Sequence, residues 1–285
     1  MVTLFALFNF SANVFAHAEA KFEYLKVDIK GPISMLYGAG GNIAVLQGQE
    51  GLLVVDNGLA ENANNLEKAL DAYGETAKYV LNTHWHYDHS GANPALGDKT
   101  TIVAHDNVRV RLLNGGQILG NNIPPSPKHA LPDITYQQKT TLHFADLAVE
   151  IQHYPNGHTD GDSVVFFKPA NVVHMGDLMF QGKFPFIDIS SGGSVNGYIQ
   201  NVGEIIGLIN DQTIVIPGHG EVTDKAGLTD FHNMMKETLE TVQAMKSDGK
   251  TLEQVQTSGL PAKWKEWGTG FINEQFWIEL LWNAS

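Results

Sequence analysis

Along the chain the apolar residues change period several times, and each change marks an element. From Phe22 short aliphatic runs at Ile33–Tyr37, 42–47 and 51–56 are separated by glycines, the pattern of strands joined by tight turns. Gly38, Gly40 and Gly41 between the first two predict a mobile hairpin tip. Residues 61–73 place Leu66, Ala69, Leu70 and Tyr73 at helical spacing, and a strand follows at 79–82. A strand, a helix and a strand in succession predict a βαβ unit with mostly parallel pairing. A second helix is predicted at 107–113. Residues 114–132, rich in Gly, Asn and Pro, are too long for a mere connection, the mark of a loop that serves a site. Strands return at 141–144, 148–154, 163–167 and Val172–His174, followed by a helix at Val195–Leu208 and a strand at 213–216. A longer amphipathic helix over 225–248 carries Leu228, Phe231, Met235, Leu239, Val242 and Met245 on one side. The last stretch holds Trp264, Trp267, Phe271, Phe276, Trp277 and Trp282 and reads as a docked helical cap whose aromatics bury area in the core. No repeat, low-complexity tract or linker divides the chain, so residues 21–285 read as one domain.

The N-terminal segment differs. Residues 1–20 have no Lys or Arg and an apolar stretch ending in Ala16-His17-Ala18, which resembles half of an export signal: the apolar part and the small-x-small site are present, the basic leader is not. Export to the periplasm or the medium is the expectation, with an ordinary tail on a cytoplasmic protein as the alternative. No other stretch approaches the ~20 apolar residues of a membrane span, so no membrane partner is expected.

Composition narrows the chemistry. The 285 residues contain no cysteine, which removes disulfides, thiolate ligands, cysteine nucleophiles and iron–sulfur clusters, and leaves nitrogen and oxygen donors for any metal. Twelve histidines are available for that purpose. The net charge of −13 with no clustered Lys or Arg argues against nucleic acid and for a small-molecule substrate.

The histidines concentrate. Thr83-His84-Trp85-His86-Tyr87-Asp88-His89 packs three imidazoles and a carboxylate into six residues directly after a predicted strand. Such donors, crowded together, repel and desolvate badly without a cation. On an extended backbone His84 and His86 point to the same side, whereas Asp88 and His89 fall on the succeeding turn and face a second centre. Each centre still lacks donors. His158 in Asn156-Gly157-His158-Thr159, Asp177 in Gly176-Asp177 and His219 in Pro217-Gly218-His219-Gly220 follow strand-like runs and sit beside glycine, which lets backbone come close or turn sharply.

With these residues in place the chain resembles the metallo-β-lactamase superfamily. The family's H-x-H-x-D-H motif is matched by His84, His86, Asp88 and His89. Its Gly-His-Thr, Gly-Asp and Pro-Gly-His-Gly elements are matched in order by Gly157-His158-Thr159, Gly176-Asp177 and Pro217-Gly218-His219-Gly220, and its early strand-Asp-x-Gly element by Val55-Asp56-Asn57-Gly58. The resemblance spans roughly residues 38–220. It implies an α/β fold of the αββα sandwich type, two mixed sheets flanked by helices, with the site at one sheet edge. It also implies two zinc ions, one held by His84, His86 and His158 and the other by Asp88, His89 and His219, with Asp177 bridging. Iron and manganese accept the same donors. The implied reaction is hydrolysis, a zinc-bound hydroxide attacking a carbonyl while Asp88 orients the nucleophile and moves its proton. Asp56 is expected to support a ligand or to serve the strand end alone.

The substrate is less constrained. One lactamase subclass places Cys where this chain has Asp177, so plain membership of that subclass is excluded. The all-His/Asp lactamase subclass, lactonases and glyoxalase-II-like thioesterases remain, with β-lactam or lactone ring opening ranked first. A phosphodiesterase or nuclease ranks lower for want of basic flanks. The thioesterase is disfavoured because the C-terminal region is rich in Trp, Phe and Glu rather than basic. Lys183 is expected to pair with a substrate carboxylate or to be a solvated loop lysine. Asn196 is expected to contact the carbonyl or to belong to a turn and helix cap. Trp85 and Tyr87 are expected to wall the pocket, with core packing the rival role for Trp85. His174 is expected to be structural or to support the site from behind.

Overall fold

The computed structural model describes residues 22–284; the export signal expected over residues 1–20 lies outside the described residues. Two sheets stack face to face. In the first, β1 (Leu25–Lys30), β2 (Ile33–Tyr37), β3 (Ile43–Gly48) and β4 (Gly51–Val55) form an antiparallel meander, and β5 (Ala77–Asn82) and β6 (Thr101–His105) extend it in parallel. The chain then makes a separate two-stranded hairpin, β7 (Gly116–Ile118) with β8 (Asn121–Ile123), before β9 (Ile134–Tyr136) closes the edge beside β6. The second sheet runs in order: β10 (Lys139–Phe144), β11 (Leu147–His153), β12 (Ser163–Lys168), β13 (Val172–His174), β14 (Ile214–Ile216) and β15 (Thr223–Asp224). Only β13 and β14 pair in parallel there. The predicted α/β sandwich with mixed sheets is what forms.

Period-2 alternation explains the layers. On β4, Leu53 and Val55 point between the sheets and pack with Leu81, Val103, Val149, Ile151, Val165, Phe167 and Ile216. Their neighbours Leu52 and Val54 point the other way, onto Leu66 and Leu70 of the helix Ala63–Asp71. The far face of the second sheet offers Val164, Phe166, Val173 and Val215 to the helices Val195–Leu208, Lys225–Ser247 and Glu274–Ala284. With helices on both outer faces, the central strands are buried on both sides and read as near-continuous apolar runs. Trp277 is fully buried and Trp264 nearly so, as expected of the aromatic cap, but Phe271 is 73% exposed.

Several elements were not visible in the pattern. The strand β1 alternates LKVDIK at a half-exposed edge, β6 runs directly into the helix that follows it, and β9, β15 and the β7–β8 hairpin lack the adjacent aliphatic residues that mark β13 and β14. The glycine turn at 38–41 also departs from the expected mobile tip. Gly41 N donates to Asp88 O at 3.0 Å, and a Cβ on Gly41 would meet the His89 ring at 2.2 Å, so the turn is packed against the histidine motif.

Sheet direction positions the site. The segments after β4, β5, β11, β13 and β14 all emerge at the same edge, because β4 and β5 are parallel, β13 and β14 are parallel, and β11 runs with β13 across antiparallel β12. Strand ends of this kind are where open α/β sheets present ligands. Ser163 N donates to Thr83 O at 2.9 Å and ties the two sheets together there.

Candidate metal centre

The segment after β5 bends through Thr83–Trp85, is extended at His86 and then turns once, over Tyr87–Ser90. That places His84 and His86 on one side and Asp88 and His89 on the next turn. His158 comes from the β11–β12 connection, Asp177 from a short turn after β13, and His219 from the loop after β14. All seven converge in two groups whose ligand atoms lie within 4.8 Å of one another: His84, His86, His158 and Asp177 in one, Asp88, His89 and His219 in the other. Asp177 turns one oxygen to each. Its Oδ2 lies 3.8 Å from His84 Nε2 and 3.4 Å from His158 Nε2, while Oδ1 lies 2.9 Å from His89 Nε2 and 3.3 Å from His219 Nε2. A Cβ on Gly218 would meet Asp177 Oδ1 at 2.2 Å, which is why glycine precedes His219.

Hydrogen bonds on the outer nitrogens decide which inner nitrogens carry lone pairs. His158 Nδ1 donates to Phe186 O at 2.7 Å, so its Nε2 is the lone-pair nitrogen. His86 Nε2 donates to Asp188 Oδ2 at 3.0 Å, so its Nδ1 is free to coordinate. Thr83 Oγ1 gives its only proton to Asp56 Oδ2 at 2.8 Å, so His84 Nδ1 must donate to that hydroxyl at 3.1 Å, and His84 Nε2, buried, has no hydrogen-bond partner among the described residues. His158 Nε2 and His86 Nδ1 thus face each other at 2.8 Å, lone pair to lone pair. A proton shared between the two would satisfy that pair alone, whereas a metal cation would also engage the unpartnered His84 Nε2. The residues fit a divalent metal of the kind bound by imidazole and carboxylate.

The charges of the two groups differ. Burial, together with the neighbouring His89, holds His84 well below the usual imidazole range, and burial with His86 beside it brings His158 down to about 4. Both are neutral at pH 7, as ligation requires. Burial opposes the imidazolium of His89 too, but Asp177, Asp88 and Asp56 outweigh it and its pKa stands well above the ordinary value. Burial likewise opposes His219, yet Asp177 and Asp88 raise it to about 9. For Asp88, burial is overcome by His89 and His219, which bring it to about 2, and the same imidazoles hold Asp177 well below the carboxylate range. Loading a cation on the second group therefore displaces protons from His89 and His219.

Support comes from behind. Asp56, fully buried, accepts from Thr83 N at 2.7 Å, from Thr83 Oγ1 and from His89 Nδ1 at 2.8 Å, so it orients a candidate ligand as well as closing its own strand end. His174 bonds Asn42 O at 3.0 Å and accepts from Gly176 N at 3.1 Å, away from both groups. Asp188 was missed by sequence reasoning: it lies 102 residues from His86, and nothing local marks it. It also accepts from Ser190 Oγ and Ser191 N, and these donors with His86 hold its pKa below the usual range against the effect of burial. Asp188→Ala should weaken metal affinity about 10–100-fold, the range for a carboxylate behind a ligating histidine; a competition titration against a chromogenic chelator measures it.

The expected pocket walls are partly corrected. A cavity of about 350 Å³ lies over Asp88, Asp177 and His219, and Tyr87 and Lys183 line it, Lys183 Nζ bonding Thr269 Oγ1 at 2.6 Å. Trp85 does not. It is 2% exposed and belongs to the core cluster that holds Ala104, Val108 and Tyr154, so the residue between His84 and His86 faces away from the cavity. Asn196 does not line the cavity either. Ser194 caps the helix Val195–Leu208 and Asn196 faces solvent on its first turn, since Val195, Tyr198 and Val202 take the core face.

Comparison with known proteins accords with this geometry. The family model described as the metallo-beta-lactamase superfamily matches residues 36–242. The probable metallo-hydrolase YqgX of Bacillus subtilis (strain 168) is 30% identical over 158 residues, 53% of this chain and 72% of its own length. Among solved structures, a metallo-beta-lactamase from Pontibacter korlensis superposes with a TM-score of 0.65 at 16% identity, over 75% of this chain and 99% of that one. The stereoselective inverting sec-alkylsulfatase Pisa1 from Pseudomonas sp. superposes with a TM-score of 0.68 at 14% identity, over 91% of this chain and 50% of that one.

Proposed function

The chain belongs to the metallo-β-lactamase superfamily and is a metal-dependent hydrolase, and from that premise we propose that it binds two zinc ions and opens a β-lactam or lactone ring. The observation that carries the reading is the convergence of three buried imidazole lone pairs and a two-faced carboxylate on one point. His84, His86 and His158 would hold one ion, Asp88, His89 and His219 the other, with Asp177 between. Bound there, zinc supplies a Lewis acid and lowers the pKa of a coordinated water to about 7.

The side chains around the centre divide the remaining work. Asp88, ionised at neutral pH and 3.3 Å from His219 Nε2, presents a carboxylate at the cavity floor that accepts a proton and orients the attacking water. Asp177 stays anionic and fixes the spacing of the two groups. Among the described residues Lys183 is the one Lys or Arg in the cavity wall, and it would attract the carboxylate of a ring-opened or ring-closed substrate. That single cation also disfavours glutathione thioesters and phosphodiesters, which call for several. The periplasm or the medium is proposed as its compartment on the strength of residues 1–20 alone.

Elemental analysis of the purified protein should find about two zinc ions per chain, and dialysis against a chelator should abolish turnover, with zinc restoring it. A panel of a chromogenic cephalosporin, an acyl-homoserine lactone and S-lactoylglutathione separates the ring-opening reading from the thioesterase one. Exclusive turnover of the thioester would overturn the proposal.

A further inference from the structure

The cavity over the metal groups is walled mainly by carbon. Ile118, Leu119, Phe184, Phe186, Phe271 and Ile272 supply most of its lining away from the charged floor. They come from three separate places: Ile118 and Leu119 from the β7–β8 hairpin within the long loop, Phe184 and Phe186 from the loop that follows Asp177, and Phe271 and Ile272 from the segment that leads into the C-terminal helix. Two of them stay out of the core. Phe271 is 73% exposed and Leu119 47% exposed, although both are large apolar side chains at the rim of one cavity. Apolar groups left in water around a concave site mark a ligand surface rather than packing.

The hairpin tip adds an independent sign. Leu119 has φ of +50° and is followed by Gly120 at φ +78°, a left-handed pair in which Asn-Gly would be the unstrained choice. A leucine held in that conformation and exposed over the cavity is backbone strain kept at a functional site. On the other side, Lys183 Nζ bonds Thr269 Oγ1, and the Lys183 stem would meet a Cβ on Gly270 at 3.0 Å, so the segment that presents Phe271 is fastened to the cavity wall.

We infer that the substrate is an amphiphile, a cyclic carbonyl compound bearing an aliphatic or aryl tail that lies between Leu119 and Phe271 while its carbonyl meets the charged floor. The inference rests on the hydrolase reading above and adds the tail. Phe271 and Leu119 are then specificity-determining residues contributed by the cap and by the hairpin.

The zinc-loaded protein should hydrolyse γ-alkyl-γ-lactones with kcat/KM rising about fourfold per added CH2 from methyl to heptyl, the gain for a fully buried methylene, until the cavity is filled. Straight-chain carboxylates from butanoate to decanoate, titrated calorimetrically, should bind with the same slope and need no turnover. In Phe271→Ala and, separately, Leu119→Ser, both slopes should fall to about twofold per CH2 or less; each side chain is exposed, so the variants should melt with the parent. Slopes that are flat in the parent, or unchanged in both variants, would overturn the inference. Carboxylates that bind with the expected slope while no lactone is turned over would instead sink the lactone-opening reading and leave the apolar tail site standing.

Discussion

Asp177→Asn should lower kcat/KM by at least ~10³-fold, beyond the ~10–100-fold typical of groups that only support a ligand, and should reduce the metal content from about two ions per chain to one or fewer. The expectation follows from the two oxygens of Asp177, each turned to a different group of imidazoles. An asparagine keeps the shape but offers one neutral acceptor. Its NH2 would confront either the lone pairs of His84 Nε2 and His158 Nε2 or the His89 and His219 side, and a cation on that side would be repelled. The negative charge that offsets two divalent ions in a buried site is lost as well. The fold should survive, because Asp177 sits in a short turn after β13 and its carboxylate faces the site, not the core. Zinc analysis and steady-state kinetics on the same preparation test the claim. Parental metal content with parental activity would remove Asp177 from the centre.

Asp177 and Asp188 both contact imidazoles, but Asp188 reaches the outer nitrogen of His86 and Asp177 the inner nitrogens of four histidines. One loss loosens a ligand; the other removes the charge around which all the ligands are arranged.

How much of this was legible along the chain depends on how local each interaction is. His84, His86, Asp88 and His89 lie within six residues, and the alternation expected of a strand running into a turn is enough to divide them between two groups. His158, Asp177 and His219 were recognisable because each follows a strand and touches a glycine, and the glycines have structural causes: Gly218 leaves room for Asp177, and Gly176 adopts φ +51° against Thr83. Asp188 carried no such signal. Its role is created by the fold bringing the loop before the helix Val195–Leu208 onto His86. Trp85 shows the opposite case: it stands between His84 and His86 in sequence, yet its side chain belongs to the core. The hairpin β7–β8 was foreseen only as a loop that serves a site. Its strands, Gly116–Ile118 and Asn121–Ile123, carry one aliphatic residue each and impose no readable period, and their pairing depends on the turn at Leu119-Gly120 rather than on apolar alternation. Likewise the exposure of Phe271 was hidden among five neighbours of the same apparent kind, four of them tryptophans, because burial of an aromatic is decided by which face of the cap meets the helices beneath.

Asp56→Ala should cost about 3–5 kcal/mol of stability, the range for removing one partner of a buried, hydrogen-bonded ion pair, and so lower the melting temperature by about 10 °C for a chain of this size. Asp56 is fully buried and its two oxygens accept from Thr83 N, Thr83 Oγ1 and His89 Nδ1. Truncation leaves all three donors without an acceptor in a site that water cannot readily enter. It also places alanine at φ +64°, where a β-carbon is strained and Asp or Asn is better tolerated. Asp56→Asn separates these contributions: the backbone conformation is kept, but the amide can accept with only one atom, so either Thr83 or His89 faces an NH2. The asparagine variant should therefore fall between parent and alanine in melting temperature, measured in excess chelator so that metal affinity does not enter. In zinc, both variants should show a smaller thermal gain than the parent, because His89 has lost the partner that turns its Nε2 toward Asp177. An alanine variant that melts with the parent in chelator would mean that the three bonds to Asp56 are made equally well to water in the unfolded chain and that the carboxylate is kept for ligand orientation alone.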